Sequence, residues 1–137
     1  MRLYEDEEIK DITGYEQKYA ISSYGRVWSY DRHIWLSPFK TTSSKRTSVN
    51  NTNYVRVNLR NRKGDRKLWL VHILVASVYV PGRTCFKREV NHIDGNLSNN
   101  YKDNLEWVSH SSNMIHAFAN GYKQSPDPYK YKRALCV

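Results

Sequence analysis

The sequence predicts an α+β fold in which short β-hairpins dominate, and three observations favour it. The chain has 137 residues, of which 39% are hydrophobic, enough for one small domain with a modest core. Short β-rich runs recur between turn-forming residues, as hairpins require. Apolar residues at helical spacing occur in only two short segments. These features exclude a large α/β barrel.

The first predicted hairpin pairs residues 19–22 with residues 26–30. Both runs are rich in residues that favour strands, and Gly25 lies between them, where a tight turn needs a flexible backbone. Residues 37–53 follow as a segment dominated by Ser, Thr and Asn, which indicates an exposed loop.

A second predicted hairpin carries many basic side chains. In residues 54–59, Tyr54, Arg56 and Asn58 alternate with apolar residues, so Arg56 is expected on the polar face. Residues 61–66 form a turn, and residues 67–71 return as the second strand. Residues 72–80 have helical apolar spacing and end at a Pro-Gly pair, which predicts a short buried helix.

The last predicted unit is a strand, a polar loop, a strand and a helix. Residues 90–93 and 105–109 are the strands, and residues 94–104 are the loop. Ser111 or Ser112 is expected to cap the helix, which should end near Gly121. A unit this small buries little surface, so it needs a metal ion or a neighbouring layer for stability.

The net charge of +9 is concentrated in two segments. Residues 40–70 hold nine basic side chains and one acidic, and residues 122–137 hold four basic side chains spaced by tyrosines. Residues 83–106, by contrast, hold four basic and four acidic side chains. Interleaved cations and aromatic rings suit a polyanion with stackable bases, so a nucleic acid is the expected partner. A merely solvated basic loop is the alternative.

Other sequence features limit where the protein works. No apolar run is long enough to span a membrane, and the first twelve residues are acidic rather than signal-like. We therefore expect an intracellular protein without membrane contact. Cys85 and Cys136 are too few for a disulfide scaffold or an all-cysteine zinc site and are interpreted as reduced thiols.

The motifs between residues 90 and 113 resemble those of HNH endonucleases of the homing type, found in phages and introns. The resemblance lies in VNHIDGN, the NN pair behind it, NLEWV and an Asn on the following helix. The segment VHILVASVYVPG is similar to the helix before this motif, and residues 11–37 resemble the NUMOD4 module that accompanies these nucleases. The resemblance implies a ββα-metal catalytic unit and, for a phage-encoded protein, the cytoplasm of a bacterial host.

The family pattern implies a role for each matched residue. His92 is the expected general base, and Asn104 braces the loop or orients His92. Asn91 and Asn113 are expected at one divalent ion, Mg²⁺ or Mn²⁺, which would stabilise the charge of the transition state. Asn113 and Asn104 thus count with His92 as catalytic residues.

The pattern also has one departure and several open positions. Many family members carry Asp directly before the histidine, where this chain has Asn91, a weaker ligand because it lacks the charge. Asn91→Asp is therefore expected to retain or improve cleavage. Residues interpreted as turn formers or structural side chains are Asn96, Asn99, Asn100, His33 and His72. Residues left open between a structural role and a contact with phosphate or with the surroundings of the metal are Asp94, His110 and His116.

The expected organisation is a NUMOD4-like module (1–37), a basic hairpin with its helix (38–82), the catalytic unit (83–121) and a basic tail (122–137). The resemblance implies double-stranded DNA as the partner. This DNA is expected to be held by the cations of the hairpin, which are Arg56, Arg60, Arg62, Lys63, Arg66 and Lys67. One such unit should nick one strand, as a monomer, and a double-strand break would need a homodimer on DNA. About 16 residues follow Gly121, too few for a further domain, so a short footprint is expected.

Two other functions fit less well. A non-catalytic DNA-binding protein could keep the same unit as a structural module, and it would differ from a nuclease in what His92 does. A zinc-stabilised module is the weakest reading, because no Cys and His cluster in the sequence has four-ligand spacing.

Overall fold

A computed structural model of the chain describes residues 1–40 and 54–119, with the side chains of residues 113 and 116–119 excepted. Its N-terminal part is a four-stranded antiparallel sheet in the order β1-β2-β3-β4. The strands are β1 (Ile9–Asp11), β2 (Tyr19–Ser22), β3 (Val27–Ser29) and β4 (Ile34–Trp35). The predicted hairpin is confirmed as β2 and β3, whereas β1 and β4 were not predicted because strands of two or three residues carry too little pattern.

The basic hairpin and the helix after it are also confirmed. Strand β5 (Arg56–Arg60) pairs antiparallel with β6 (Arg66–Leu70), and helix α1 (Val71–Tyr79) follows directly. Val71 was predicted as the end of the strand but is the first residue of the helix. Its side chain is fully buried in the core, so tertiary packing decides the boundary that propensity leaves open.

The C-terminal unit has the predicted order. Strand β7 (Glu89–His92) pairs antiparallel with β8 (Leu105–Val108), a 3₁₀ turn (Lys102–Asn104) precedes β8, and helix α2 (His110–Ala119) follows it. The predicted cap at Ser111 or Ser112 is wrong. Ser109 Oγ accepts a hydrogen bond of 3.1 Å from the backbone N–H of Ser112. Ser109 therefore caps the helix, and α2 begins at the next residue, His110.

Helix α1 lies in the core, where all three sheets contribute side chains. One cluster of buried residues includes Ile21, Leu59, Val75, Leu105 and Trp107. The hydroxyl of Tyr79 donates to the carbonyl of Ile21 at 2.7 Å, and the indole N–H of Trp107 donates to the carbonyl of Val80 at 2.9 Å. The end of α1 is thereby tied to the N-terminal sheet and to the hairpin of β7 and β8.

These elements confirm an α+β fold rich in hairpins. Part of the predicted loop, residues 41–53, and the basic tail with Cys136 lie outside the described residues. Cys85 is a free, exposed thiol. In the described part of the chain no helix is long and apolar enough to cross a membrane.

Candidate active site

His92, the last residue of β7, is held inside the protein by one hydrogen bond. Its side chain is 3% exposed, and its Nε2 lies 2.8 Å from Oδ1 of Asn100 in the following loop. An amide oxygen can only accept a hydrogen bond, so Nε2 carries the proton and donates it to Asn100. The other ring nitrogen, Nδ1, then carries the lone pair that can accept a proton.

Asn100 is the residue that the sequence interpretation missed. It was predicted to be a turn former, but its side chain is 5% exposed and pairs with His92. Turn-forming asparagines have exposed side chains, whereas a buried amide must satisfy its polar atoms inside the protein. The only signal in the sequence is its place in the NN pair of the motif, and a pairing across eight residues of irregular loop has no periodicity.

Asn104 makes its contacts within the loop. Its Oδ1 accepts from the backbone N–H of Asp94 at 3.0 Å, and its Nδ2 donates to Asp94 Oδ1 at 2.9 Å and to the carbonyl of Asn99 at 2.8 Å. Hydrogen bonds from Asn99, Asn96 and Asn104 hold the pKa of Asp94 below its ordinary value. Of the two duties considered for Asn104, these are the contacts of a loop brace.

Asn91 lies on the other face of the hairpin from the core. It is directly opposite Glu106 in the strand register, and its Nδ2 donates to Glu106 Oε1 at 2.9 Å. Glu89 lies two residues before Asn91 in the same strand. Its Oε1 is 2.5 Å from Nδ1 of His110, the first residue of α2. His110 therefore pairs with a carboxylate, and the face of β7 that meets α2 is polar.

The oxygen atoms on this face are suited as ligands to a hard divalent ion. Because Nδ2 of Asn91 is committed to Glu106, its Oδ1 is the atom available to a cation, and the Glu106 carboxylate lies beside it. Oxygen ligands of this kind suit Mg²⁺ and Mn²⁺ rather than zinc. The side chains of Asn113 and His116 lie outside the described residues. In residues 1–40 and 54–119, no three or more His, Cys, Asp and Glu side chains group in a way that could hold a metal.

The rings of His92, His72 and Tyr54 pack together. The His72 ring, on α1, lies 4.9 Å from the ring of His92 and 4.9 Å from the ring of Tyr54, on which it stacks. Burial, and then the nearby His92, lowers the pKa of His72 to about 3. His72 was predicted to be structural, and its burial and its contacts with two rings are those of a structural side chain.

Burial also sets the charge of His92. It lowers the pKa of His92 below the ordinary value and outweighs two opposing effects, the hydrogen bond to Asn100 and the negative charge of Asp94. His92 is therefore neutral at pH 7, the state in which an imidazole can accept a proton.

The cations of the basic hairpin are exposed, with one exception. Arg60 and Arg66 face each other in the strand register next to the turn, where Arg62 and Lys63 lie, and the ammonium of Lys67 lies 4.2 Å over the ring of Trp69. The exposed cations are Arg60, Arg62, Lys63, Arg66 and Lys67. Arg56 is half-buried at the base of the hairpin, so the structure does not bring it together with the others.

A cleft joins this hairpin to the N-terminal sheet. It has a volume of about 420 Å³ and is lined by Arg60 and Arg66 from the hairpin and by Lys18 and Arg32 from the sheet. Sequence reasoning missed Lys18 and Arg32, because only the packing of two separate sheets places them beside the hairpin cations.

Comparisons with known proteins match both halves of the chain. The NUMOD4 motif matches residues 7–60, and the HNH endonuclease model matches residues 70–115. DNA endonuclease I-HmuI of Bacillus phage SP01 is 32% identical over 114 residues, which are 83% of this chain and 59% of that protein. Uncharacterized HNH endonuclease L245 of Acanthamoeba polyphaga mimivirus is 39% identical over 64 residues, which are 47% of this chain and 19% of that protein.

A solved structure agrees with these matches. The structure titled "DNA binding and cleavage by the HNH homing endonuclease I-HmuI" superposes with a TM-score of 0.73 at 31% identity, over 86% of this chain and 62% of that one. The chain thus spans between about a fifth and three fifths of the length of these two relatives. The chain thus carries a NUMOD4 motif followed by an HNH endonuclease unit, in a fold that it shares with an HNH homing endonuclease.

Proposed function

We propose that this chain is a metal-dependent DNA endonuclease that hydrolyses a phosphodiester bond with His92 as the general base. The observation that carries the proposal is the hydrogen bond between His92 and Asn100, within the segment that the HNH endonuclease model matches. A neutral imidazole fixed in one tautomer is ready to accept a proton. The related I-HmuI, which is named a DNA endonuclease, supports DNA as the substrate.

In the proposed reaction His92 activates the attacking water. Nδ1 takes a proton from the water while the water oxygen forms a bond to phosphorus, and the bond from phosphorus to the leaving 3′ oxygen breaks. Nε2 keeps its proton and its hydrogen bond to Asn100 throughout the step. This bond stabilises the ring as it becomes positive, because an amide oxygen accepts well from an imidazolium. Asn104 acts indirectly, by keeping the loop that carries Asn100 in place.

The metal site in this proposal lies on the polar face of β7. Asn91, through Oδ1, and Asn113 would hold one Mg²⁺ or Mn²⁺ ion, and Glu106 beside Asn91 adds negative charge that this amide lacks. When bound, the ion supplies positive charge against the phosphoryl and leaving oxygens. The role of Asn113 rests on the family resemblance and on its place in α2.

DNA would be held mainly by the basic hairpin. The exposed guanidinium and ammonium groups would contact phosphates, and Arg60 would reach base edges. Lys18 and Arg32 extend this cationic surface across the cleft to the N-terminal sheet. A single unit cuts one strand, so a monomer is expected to nick, and two copies are needed for a double-strand break.

Cleavage of supercoiled plasmid tests the proposal. The wild type should convert it to the nicked form with Mg²⁺ or Mn²⁺ and not with EDTA. His92→Ala should cut on the order of 10²–10⁴-fold more slowly, because a general base is lost. His33→Asn, a change at an exposed histidine, is the matched control and should cut like the wild type.

The same assay distinguishes the alternative. If the wild type retards DNA in a gel and never cuts it, the protein is a non-catalytic DNA-binding module. If His92→Ala cuts as fast as the wild type, His92 is not the general base.

A further inference from the structure

The turn between β2 and β3 packs against the loop that carries Asn100. The backbone N–H of Lys102 donates to the carbonyl of Ser23 at 2.9 Å. The rings of Tyr24 and Tyr101 stack, with their centroids 5.0 Å apart and their planes at 29°. The two residues that follow Asn100 are thus both held by the N-terminal sheet, which is distant in sequence.

Gly25 brings this turn even closer to Asn100. Its φ is +87°, and a Cβ added to it would lie 2.9 Å from Cβ of Asn100 and 3.3 Å from Cγ1 of Val71. Neither neighbour can give way easily. Val71 is fully buried at the start of α1, and Cβ of Asn100 moves only with its backbone. The close approach therefore requires a residue without a side chain.

We propose that the β2–β3 turn of the NUMOD4 part positions His92, with Gly25 and Tyr24 acting as positioning residues through Asn100. The turn sets where the Asn100 backbone lies, and the Asn100 amide sets where the His92 ring lies. This rests on the proposed function of His92. Its consequence is that the N-terminal module is a structural part of the active site and cannot be removed without loss of catalytic geometry.

Gly25→Ala in the full-length chain tests the proposal, with Gly14→Ala as a matched control. Gly14 lies in the same sheet region with a φ of +89°, so alanine introduces the same backbone strain there, but nothing lies within 4 Å of the added Cβ. Gly25→Ala should lower kcat on the order of 10²-fold, as a displacement of about 1 Å does, with Kd for DNA unchanged. Gly14→Ala should leave kcat as in the wild type.

A second readout does not depend on cleavage. In ¹⁵N-labelled protein the imidazole signals of His92, assigned by their absence in His92→Ala, report its hydrogen bond to Asn100. They should shift in Gly25→Ala and not in Gly14→Ala. If the wild type fails to cleave DNA, the proposed function falls, but this comparison still decides whether the turn positions His92.

If Gly25→Ala does not fold, Tyr24→Leu tests the proposal instead. It removes the stack on Tyr101 without changing the backbone and should shift the His92 signals in the same direction, whereas Tyr4→Leu, a change at an exposed ring that contacts Tyr24, should not. In the Asn100→Ala background, Tyr24→Leu should cost no further kcat, since both act through one amide. Unshifted His92 signals in Gly25→Ala and Tyr24→Leu, or fully additive losses, would overturn the proposal.

Discussion

The molecule contains two hairpins of similar size that use polar residues in opposite ways. In the basic hairpin, β5 and β6, the cations are exposed and most lie at the turn. In the β7–β8 hairpin, which carries the candidate active site, Asn91 and His92 are buried, and their hydrogen-bond partners are other side chains. The difference shows that binding a polyanion such as DNA needs exposed cationic side chains. Proton transfer instead needs a side chain whose position and charge the protein controls.

The largest effect that would break this comparison is expected at Asn100. Asn100→Ala keeps the Cβ against Gly25 and removes only the amide, so His92 loses the partner that fixes its tautomer. We expect kcat on DNA to fall on the order of 10²-fold, with DNA affinity unchanged.

The control for Asn100 is Asn96→Ala, whose side chain accepts a hydrogen bond from Ser98 in the same loop without touching His92. It should have wild-type kcat, measured in the same plasmid assay. Equal loss of kcat in the two variants would mean that the loop as a whole matters and that Asn100 has no special role.

The next effect concerns His72, which lies between the two hairpins in contact with Tyr54 before β5 and with His92 in β7. Its pKa is lowered to about 3 from an ordinary value of 6.5, so the unfolded chain binds a proton that the folded protein does not. Its contribution to stability is complete above pH 6.5 and is lost as the pH falls from 6.5 toward 3. Between pH 6.5 and pH 5 the loss is about 2 kcal/mol.

Urea unfolding at pH 7 and pH 5 measures this loss. His72→Phe keeps a ring in the stack and should lose about 2 kcal/mol less than the wild type on acidification, because phenylalanine has no proton to take up. His33→Asn, at an exposed histidine, should lose as much as the wild type. An unchanged pH dependence in His72→Phe would show that His72 is not held neutral by burial.

The smallest effect is expected in the basic hairpin. Removing Arg60 and Arg66 together should weaken DNA binding about tenfold and lower the slope of log K against log salt by about two units, one per lost phosphate contact. KM should rise with kcat unchanged, because an interaction made equally with substrate and transition state is lost. Binding measured over a range of salt concentrations checks this.

Lys10→Ala, which removes a cation that lies over the Tyr79 ring on the N-terminal sheet, is the charge control. It should leave the salt slope as it is. A drop in kcat for the double Arg variant would mean that the hairpin also orients the scissile phosphate.

The order of the elements could be predicted from sequence because each depends on local pattern. The strand predicted from alternation in residues 54–59, the helix predicted in residues 72–80 and the strand, loop, strand and helix near the C-terminus all appear in the expected order, with ends shifted by one or two residues. Strands β1 and β4 could not be predicted, since they exist only through pairing with β2 and β3. The helix cap was misplaced for a similar reason, because Ser109, Ser111 and Ser112 can each cap a helix, and only the path of the folded chain decides which one does.

The candidate site divides in the same way. Residue types and spacing are properties of the chain. They mark the basic segment directly, and through the resemblance to HNH endonucleases they point to Asn91, His92 and Asn104. Contacts between residues distant in sequence cannot be predicted in this way, because no local pattern encodes which loop a buried amide will meet. The tertiary structure therefore decided that Asn100 holds His92, that His72 lies against it, and that Gly25 of the N-terminal sheet closes on Asn100.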